Sequence, residues 1–457
     1  MSTVARDLVE KYDVPAPRYT SYPTVPYWES AGLTTEIWTE ELKRAFSVPT
    51  ARWSLYLHIP FCETLCTFCG CNTSITKNHN REDPYIAAVH REWELYLKAV
   101  PGIQDRVLEE IHLGGGTPTF LSPDNLKKLL APILAAVKGP EGQVMERSIE
   151  VDPRRTNREH LKALREVGFT RVSMGVQDFT PEVQKLVNRI QPVEMTENLT
   201  REARELGFHS VNFDLIYGLP KQNPESMRLS MEQTLRLRPD RIALYSYAHV
   251  PWMKAVQRLF TESDLPAGAD KRILYEIART ALLENGYAEI GMDHFALKTD
   301  SLFRASESSN LHRNFMGYTS RRTDILLGLG VSSISETPGC FHQNEKALPA
   351  YEKMMEAGKL TTHRGHLLTT EDRKNREEIL ELMTKLSVEI LPDEVADAQD
   401  FLAEMIADGL VEIRGSEKST RLSVTEKGRP FLRNACLFFD RRLRAKAPQT
   451  RIFSKSI

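Results

Sequence analysis

Four cysteines fall within ten positions of the stretch HIPFCETLCTFCGCN: Cys62, Cys66, Cys69 and Cys71. Thiolates at this spacing, C-x3-C-x2-C-x-C, suit soft or borderline metals. A structural zinc site would pair two of them and take its second pair from a distance. A ferredoxin-type cluster would draw its fourth ligand from a remote motif. Cys340 and Cys436 stand alone without a companion motif and read as small buried apolar residues. In the third arrangement Cys62, Cys66 and Cys69 bind three irons of one 4Fe–4S cluster, leaving the fourth iron open to a chelating cosubstrate. That open corner would make the chain an enzyme.

Other residues could serve such a corner. His112-Leu113-Gly114-Gly115-Gly116-Thr117 follows an apolar run, and its glycines would let backbone groups approach a ligand. The turn lacks the lysine and spacing of a P-loop. Polar or small residues recur at strand ends: Glu150 in SIEVD, Gln177 in GVQDF, Asp214 in NFDLIYG and Ala248 after YSY. One buried polar group is usually satisfied by backbone or water. Four on successive strands read as a lined site, with Glu150, Gln177 and Asp214 suited to ribose hydroxyls.

The elements that must hold these residues alternate. Strand patterns at 54–59, 108–113, 148–152, 171–176, 210–218, 241–248 and 287–295 are separated by amphipathic helical patterns. The first helix is read from Asp83-Pro84, a cap followed by proline, with Tyr85, Ile86, Val89, Trp93, Tyr96 and Leu97 on one face. Others fill 122–137, 157–167, 194–206, 224–237 and 268–285. Repeated strand–helix units predict an α/β fold with a parallel sheet, open or curled into a barrel, and chemistry at the carboxyl ends of its strands. Residues 1–50, rich in proline and tyrosine, are expected to form an extended segment covering the barrel. Residues 51–364 form the catalytic domain, with elaborations after about 297. Residues 365–457 form a small, mostly helical, winged-helix-like domain, with a hairpin of 410–413 against 421–424 around a GSEKST turn.

The chain has 457 residues, with 60 basic against 62 acidic side chains and a net charge of −2, which gives no support for a nucleic-acid partner. No apolar run is long enough for a membrane span, and clustered cysteines in a chain of this size favour metal over disulfides, so the chain reads as cytoplasmic.

The C-x3-C-x2-C motif after a first strand, with Phe68 before the third cysteine, resembles the radical S-adenosylmethionine (SAM) enzymes. More closely, PRYTSYPT (17–24), SLYLHIPFC (54–62), CGCN (69–72), HLGGGTPTFL (112–121), SIEVDPR (148–154) and MGVQDF (174–179) resemble the oxygen-independent coproporphyrinogen III oxidases. So do VQKLVNR (183–189), DLIYGLPKQ (214–222), IGMDHFA (290–296) and HRNFMGYT (312–319), where the family often has glutamine in place of Met316.

The resemblance implies a partial (β/α)6-type radical SAM barrel. It implies one 4Fe–4S cluster on Cys62, Cys66 and Cys69, with Cys71 a neighbour rather than a ligand. Tyr56, Gly115, Glu150 and Ile334 match positions contacting the cluster-bound SAM. Phe68, Gly116, Thr117, Gln177, Arg189, Asp214 and Ala248 match positions around a second SAM. The implied reaction, through a 5′-deoxyadenosyl radical, converts the ring A and B propionates of coproporphyrinogen III to vinyl groups in haem biosynthesis. Propionates require cationic partners, and Arg18 and Arg313 are the candidates. The implied partners are a flavodoxin- or ferredoxin-type electron donor and an electron acceptor, with the chain a monomer. The alternative is a related radical SAM protein that binds or transfers haem without decarboxylase activity.

Overall fold

The computed structural model describes residues 6–28, 32–415, 419–446 and 452–456. Six strands form the heart of one sheet: β1 (Arg52–Ile59), β2 (Val107–Gly115), β3 (Glu146–Val151), β4 (Arg171–Gln177), β5 (Ser210–Tyr217) and β6 (Arg241–Ser246). They pair in parallel in chain order, with helices in the crossovers.

The sequence places these helices well. Asn157 caps Arg158–Glu166, Ser122 caps Pro123–Ala136 and Asn223 caps Pro224–Leu237, each side chain accepting an N–H of the first turn. The helix expected to start at Asp83 runs over Glu82–Ala99. It continues directly from the 3₁₀ turn His79–Arg81, so Asp83 lies in its first turn instead of capping it.

Three features depart from the sequence reading. Residues 287–295 are not one strand: β7 (Tyr287–Ile290) and β8 (His294–Leu297) form an antiparallel hairpin, turned at Gly291 with φ +60°. A further parallel strand, β9 (Ile325–Leu329), pairs with the free side of β1. The meander of β10 (Ile334–Thr337), β11 (Cys340–Gln343) and β12 (Arg364–Leu367) continues from it. The sheet order is β12-β11-β10-β9-β1-β2-β3-β4-β5-β6-β8-β7.

The segment 1–50 also contains two helices, Arg6–Tyr12 and Thr35–Ser47. Trp38, Leu42 and Phe46 of the second are buried in the main core, and burying an apolar helical face outweighs the surrounding prolines. Leu8, Val9, Tyr12, Tyr19 and Tyr22 pack instead with the C-terminal residues, among them Leu382, Leu422 and Phe431. Arg433 fastens this contact by donating to the carbonyls of Pro17 and Ala16.

The C-terminal part has a capped helix, Thr370–Lys385, and an antiparallel sheet in which Thr420–Val424 lies between Ser387–Ile390 and Val411–Gly415. The expected hairpin pairs Val411 with Val424 and Ile413 with Leu422. Residues 416–418 of its turn lie outside the described residues. After the hairpin the chain forms a 3₁₀ turn at Arg429–Phe431 and a helix at Leu432–Cys436.

Side chains of the six central strands alternate with period two. Outward positions such as Leu55, Ile111, Ile149, Val172, Phe213 and Ile242 are buried against the helices. Inward positions are polar: Glu110 and His112, Ser148 and Glu150, Arg171 and Ser173, Asn212 and Asp214, Arg241. Closed barrels usually fill that space with branched apolar residues, so a polar interior signals ligands rather than packing.

One buried carboxylate ties the outer layer to β9. Glu92, 1 % exposed, accepts from the Gly330 N–H (2.7 Å), the Tyr351 hydroxyl (2.7 Å) and the Asn344 amide (2.6 Å). Burial outweighs these bonds and raises its pKa from 4.5 to about 7. The folded chain therefore holds this proton more tightly. The benefit is complete below about pH 4.5 and is lost as pH rises through about 7. The urea midpoint of Glu92→Gln should consequently gain on the native chain between pH 5 and pH 8, by up to about 3 kcal/mol in stability. A gap equal at both pH values would refute this account.

Candidate active site

The cysteine loop leaves β1 and is pinned from three sides. Phe61–Cys62 pairs in parallel with Ser74–Ile75. The Thr67 N–H donates to the Val187 carbonyl (3.1 Å), and the Gln257 amide to the Phe68 carbonyl (3.1 Å). Cys62, Cys66 and Cys69 line one cavity of about 150 Å³, together with Phe68, Cys71, Gly115, Gly116, Thr117, Glu150, Gln177, Arg189 and Asp214. Cys66 is buried and Cys71 exposed.

Cations face these thiols. Arg154 and Arg189 each direct an N–H at the Cys66 sulfur from 3.6 Å. Asp152 anchors both, at 2.7 Å from Arg154 and 3.2 Å from Arg189. Burial pushes the Asp152 carboxyl up, but the two guanidiniums outweigh it and hold it below the ordinary range. Hydrogen bonding from Cys71 lowers the Cys69 thiol, with Lys254 and Arg189 adding to the effect. Burial pushes the Cys62 thiol up to about 11, against a 3.4 Å contact with the Thr117 hydroxyl. Arg189 could have formed a surface ion pair, but it is buried and reaches the Gly175 carbonyl at 2.5 Å.

Behind the cysteines, β2 ends in the glycine turn. A Cβ on Gly116 would lie 2.7 Å from the Phe61 carbonyl oxygen, so only glycine fits. Gly115 adopts φ +112° and donates its N–H to Glu150 at 3.2 Å. Burial raises Glu150, yet His112 at 3.5 Å and the Gly115 N–H outweigh it and keep the carboxylate ionised. Asp214 accepts from Ser173 (2.8 Å) and Asn212 (2.9 Å). Burial and the nearby charge of Glu150 push it up to about 6. Gln177 has φ +70° at a bulge in β4, strained backbone of the kind that concentrates at functional sites.

A second cavity of about 490 Å³ adjoins the first and shares Cys71, Gly115 and Glu150 with it. Tyr56, His58, Ile334, Arg18, Arg313 and Met316 line it. Met316 faces the cavity where a polar residue was in question. A third, of about 210 Å³, occupies the barrel axis and shares Glu150, Gln177 and Asp214 with the cysteine cavity. Ala248 is half-buried in the turn after β6, outside all three. Asp152, Arg154, His58 and His112 were not singled out from the sequence. Asp152-Pro153-Arg154 directly follows the strand carrying Glu150 and could have been flagged by position. The approach of Arg154 to Cys66 is a tertiary contact that spacing does not encode.

Among the described residues no three His, Cys, Asp or Glu side chains converge as one metal ion requires. A polynuclear cluster takes one thiolate per iron and does not demand such convergence. Three thiols lining one cavity, two guanidiniums beside their sulfur and an adjacent glycine turn fit an anionic iron–sulfur cluster with a bound cosubstrate.

Fold and site together define a radical SAM enzyme, and residues 56–233 match the Radical SAM superfamily. The oxygen-independent coproporphyrinogen III oxidase of Pseudomonas aeruginosa is 39 % identical over 448 residues, 96 % of this chain and 95 % of its own. That of Escherichia coli is 40 % identical over 456 residues, 96 % of each. The solved structure of the Escherichia coli coproporphyrinogen III oxidase, a radical SAM enzyme, superposes with a TM-score of 0.87 at 38 % identity, covering 97 % of this chain and all of that one. The chain belongs to the oxygen-independent coproporphyrinogen III oxidase family.

Proposed function

We propose that this chain oxidatively decarboxylates the ring A and B propionates of coproporphyrinogen III to vinyl groups, giving protoporphyrinogen IX for haem biosynthesis. The observation that carries this reading is a thiol-lined cavity opening into a larger one that holds Arg18 and Arg313.

When bound, a 4Fe–4S cluster and SAM supply the one-electron chemistry that takes a hydrogen atom from the propionate β-carbon, after which carbon dioxide and one electron leave. Cys62, Cys66 and Cys69 hold the cluster, while Arg154 and Arg189 offset thiolate charge. Gly115 and Glu150 position the cosubstrate amino group, with Tyr56 and Ile334 flanking it. Phe68, Gly116, Thr117, Gln177, Arg189 and Asp214 hold a second SAM, and Ala248 joins this set on resemblance alone. Arg18 and Thr20 of the N-terminal segment line the substrate cavity. The protein acts as a cytoplasmic monomer, served by a flavodoxin- or ferredoxin-type donor and an electron acceptor. No described helix is long and apolar enough to cross a membrane.

The deciding experiment is an anaerobic assay of the reconstituted chain with SAM, dithionite and coproporphyrinogen III, quantifying protoporphyrinogen and 5′-deoxyadenosine together. Formation of both products supports the reading. Deoxyadenosine without protoporphyrinogen would favour the haem-handling alternative.

Arg313 gives a sharper test of the substrate site. It is buried, its guanidinium lies 4.5 Å from the Tyr318 ring, and its Nε has no hydrogen-bond partner. A hydrogen bond to a charged group contributes about 1.5–3 kcal/mol. Arg313→Ala should therefore raise KM for coproporphyrinogen III about 10- to 100-fold. An unchanged KM would remove Arg313 from the substrate site.

A further inference from the structure

We propose that the face around the cysteine loop is the docking surface for a small acidic electron-carrier protein. The proposal rests on the radical SAM reading above, which requires electrons to be delivered to this loop.

Two banks flank residues 62–71. In one, the Asn188 amide donates to the Leu65 carbonyl at 2.8 Å, and the exposed Leu186 and Ile190 stand two residues to either side of Asn188 in the chain. In the other, Lys254 reaches the Cys71 carbonyl at 3.1 Å and Gln257 the Phe68 carbonyl, and the exposed Met253 and Leu259 belong to the same short segment. Ile190 is 64 % exposed, Met253 66 % and Leu259 69 %, among the most exposed large apolar side chains described. Such residues scattered singly are ordinary. Two banks of them tied to a redox-ligand loop that is itself only part-buried mark an interface, whose centre is apolar and whose rim is polar.

Charge selects the partner. The loop and banks, residues 62–71, 182–190 and 250–259, contain two acids, Glu63 and Glu182. Arg155 pairs with Glu63 at 2.8 Å. Lys185, Lys254 and Arg258 stand on the banks, so these segments carry more basic than acidic side chains on a chain whose net charge is −2. Complementary fields accelerate encounter and lose strength as salt screens them. An acidic carrier would therefore be steered to the side on which Cys62 and Cys69 are only part-buried.

The test uses the full-length, cluster-loaded chain and compares two reductants for SAM cleavage: dithionite and a reduced acidic flavodoxin. Met253→Glu with Leu259→Glu, and separately Lys185→Glu, should lower the flavodoxin-driven kcat/KM about tenfold or more while dithionite-driven cleavage stays at the native rate. Raising the salt should likewise slow only the flavodoxin arm. Flavodoxin-driven cleavage at the native rate in these variants would overturn the proposal. Absence of cleavage with dithionite in the native chain would overturn the radical SAM reading instead. Affinity for oxidised flavodoxin, measured without turnover, decides the case in which a variant loses both activities: weakened binding supports the surface, and native affinity overturns it.

Discussion

Cys66→Ala should abolish protoporphyrinogen formation and strip most of the iron and sulfide from the reconstituted chain. Cys66 is the most enclosed of the four clustered thiols, and two guanidiniums point at its sulfur from 3.6 Å. Alanine removes the thiolate and leaves Arg154 and Arg189 with Asp152 as their remaining anion. Buried charges that lose a partner are costly, so the loop should also loosen. Two measurements separate the effects. Far-ultraviolet circular dichroism should remain native, because Cys66 sits outside the strands and helices. The visible absorption of the loaded chain, with its iron and sulfide content, should collapse. Full iron content and turnover in this variant would sink the assignment of Cys66 as a ligand.

The barrel was legible in the sequence because two periodicities coincide there. Period two along each strand and the 3.6-residue repeat along each helix both point apolar residues into the same layer, so Leu55, Ile149 and Phe213 meet Tyr85, Leu161 and Met231 in one core. The caps are local signals, which is why the helices following Asn157, Ser122 and Asn223 start where expected. The hairpin at Gly291 was missed because an apolar run broken by one glycine reads equally well as a single strand. β9 was missed because ILLGL has no alternation, the pattern of a strand buried on both faces.

The site divides in the same manner. The cysteines, glycines and strand-end polar residues lie at fixed offsets from elements, so placing the elements gathers most of them around adjoining cavities. Ala248 follows β6 in sequence but is not among the residues that line those cavities. Asp152 and Arg154 pair locally, two residues apart, but Arg189 joins them and Arg154 reaches Cys66 only through tertiary packing. The two ends of the chain form one core for the same reason: Tyr12 and Phe431 lie in contact, with ring centroids 5.2 Å apart, although no local pattern links them.

Gly116→Ala is the other substitution with a large expected effect, and its cause is space rather than conformation. Gly116 does not adopt a positive φ, so alanine could take up its backbone shape. Its Cβ, however, would lie 2.7 Å from the Phe61 oxygen, 2.8 Å from the Pro60 carbonyl carbon and 2.9 Å from the Pro60 oxygen. These are backbone atoms of the segment that delivers Cys62, and the Gly116 N–H is tied to the Ile59 carbonyl at 2.7 Å. Neither side can yield by rotating a side chain, so the methyl group must push residues 60–62 and the glycine turn apart. Overpacking of this kind costs about 1–3 kcal/mol, which a chain of this size tolerates. A displacement near 1 Å at a reacting centre costs about 100-fold in rate, so activity should fall much further than stability. The expected result is a folded protein with kcat/KM reduced at least about 100-fold and weakened SAM binding. Gly70→Ala, in the cysteine loop, meets nothing within 4 Å and should incorporate iron as the native chain does. Native SAM affinity and turnover in Gly116→Ala would mean that the β2 turn does not form the wall of the cosubstrate site.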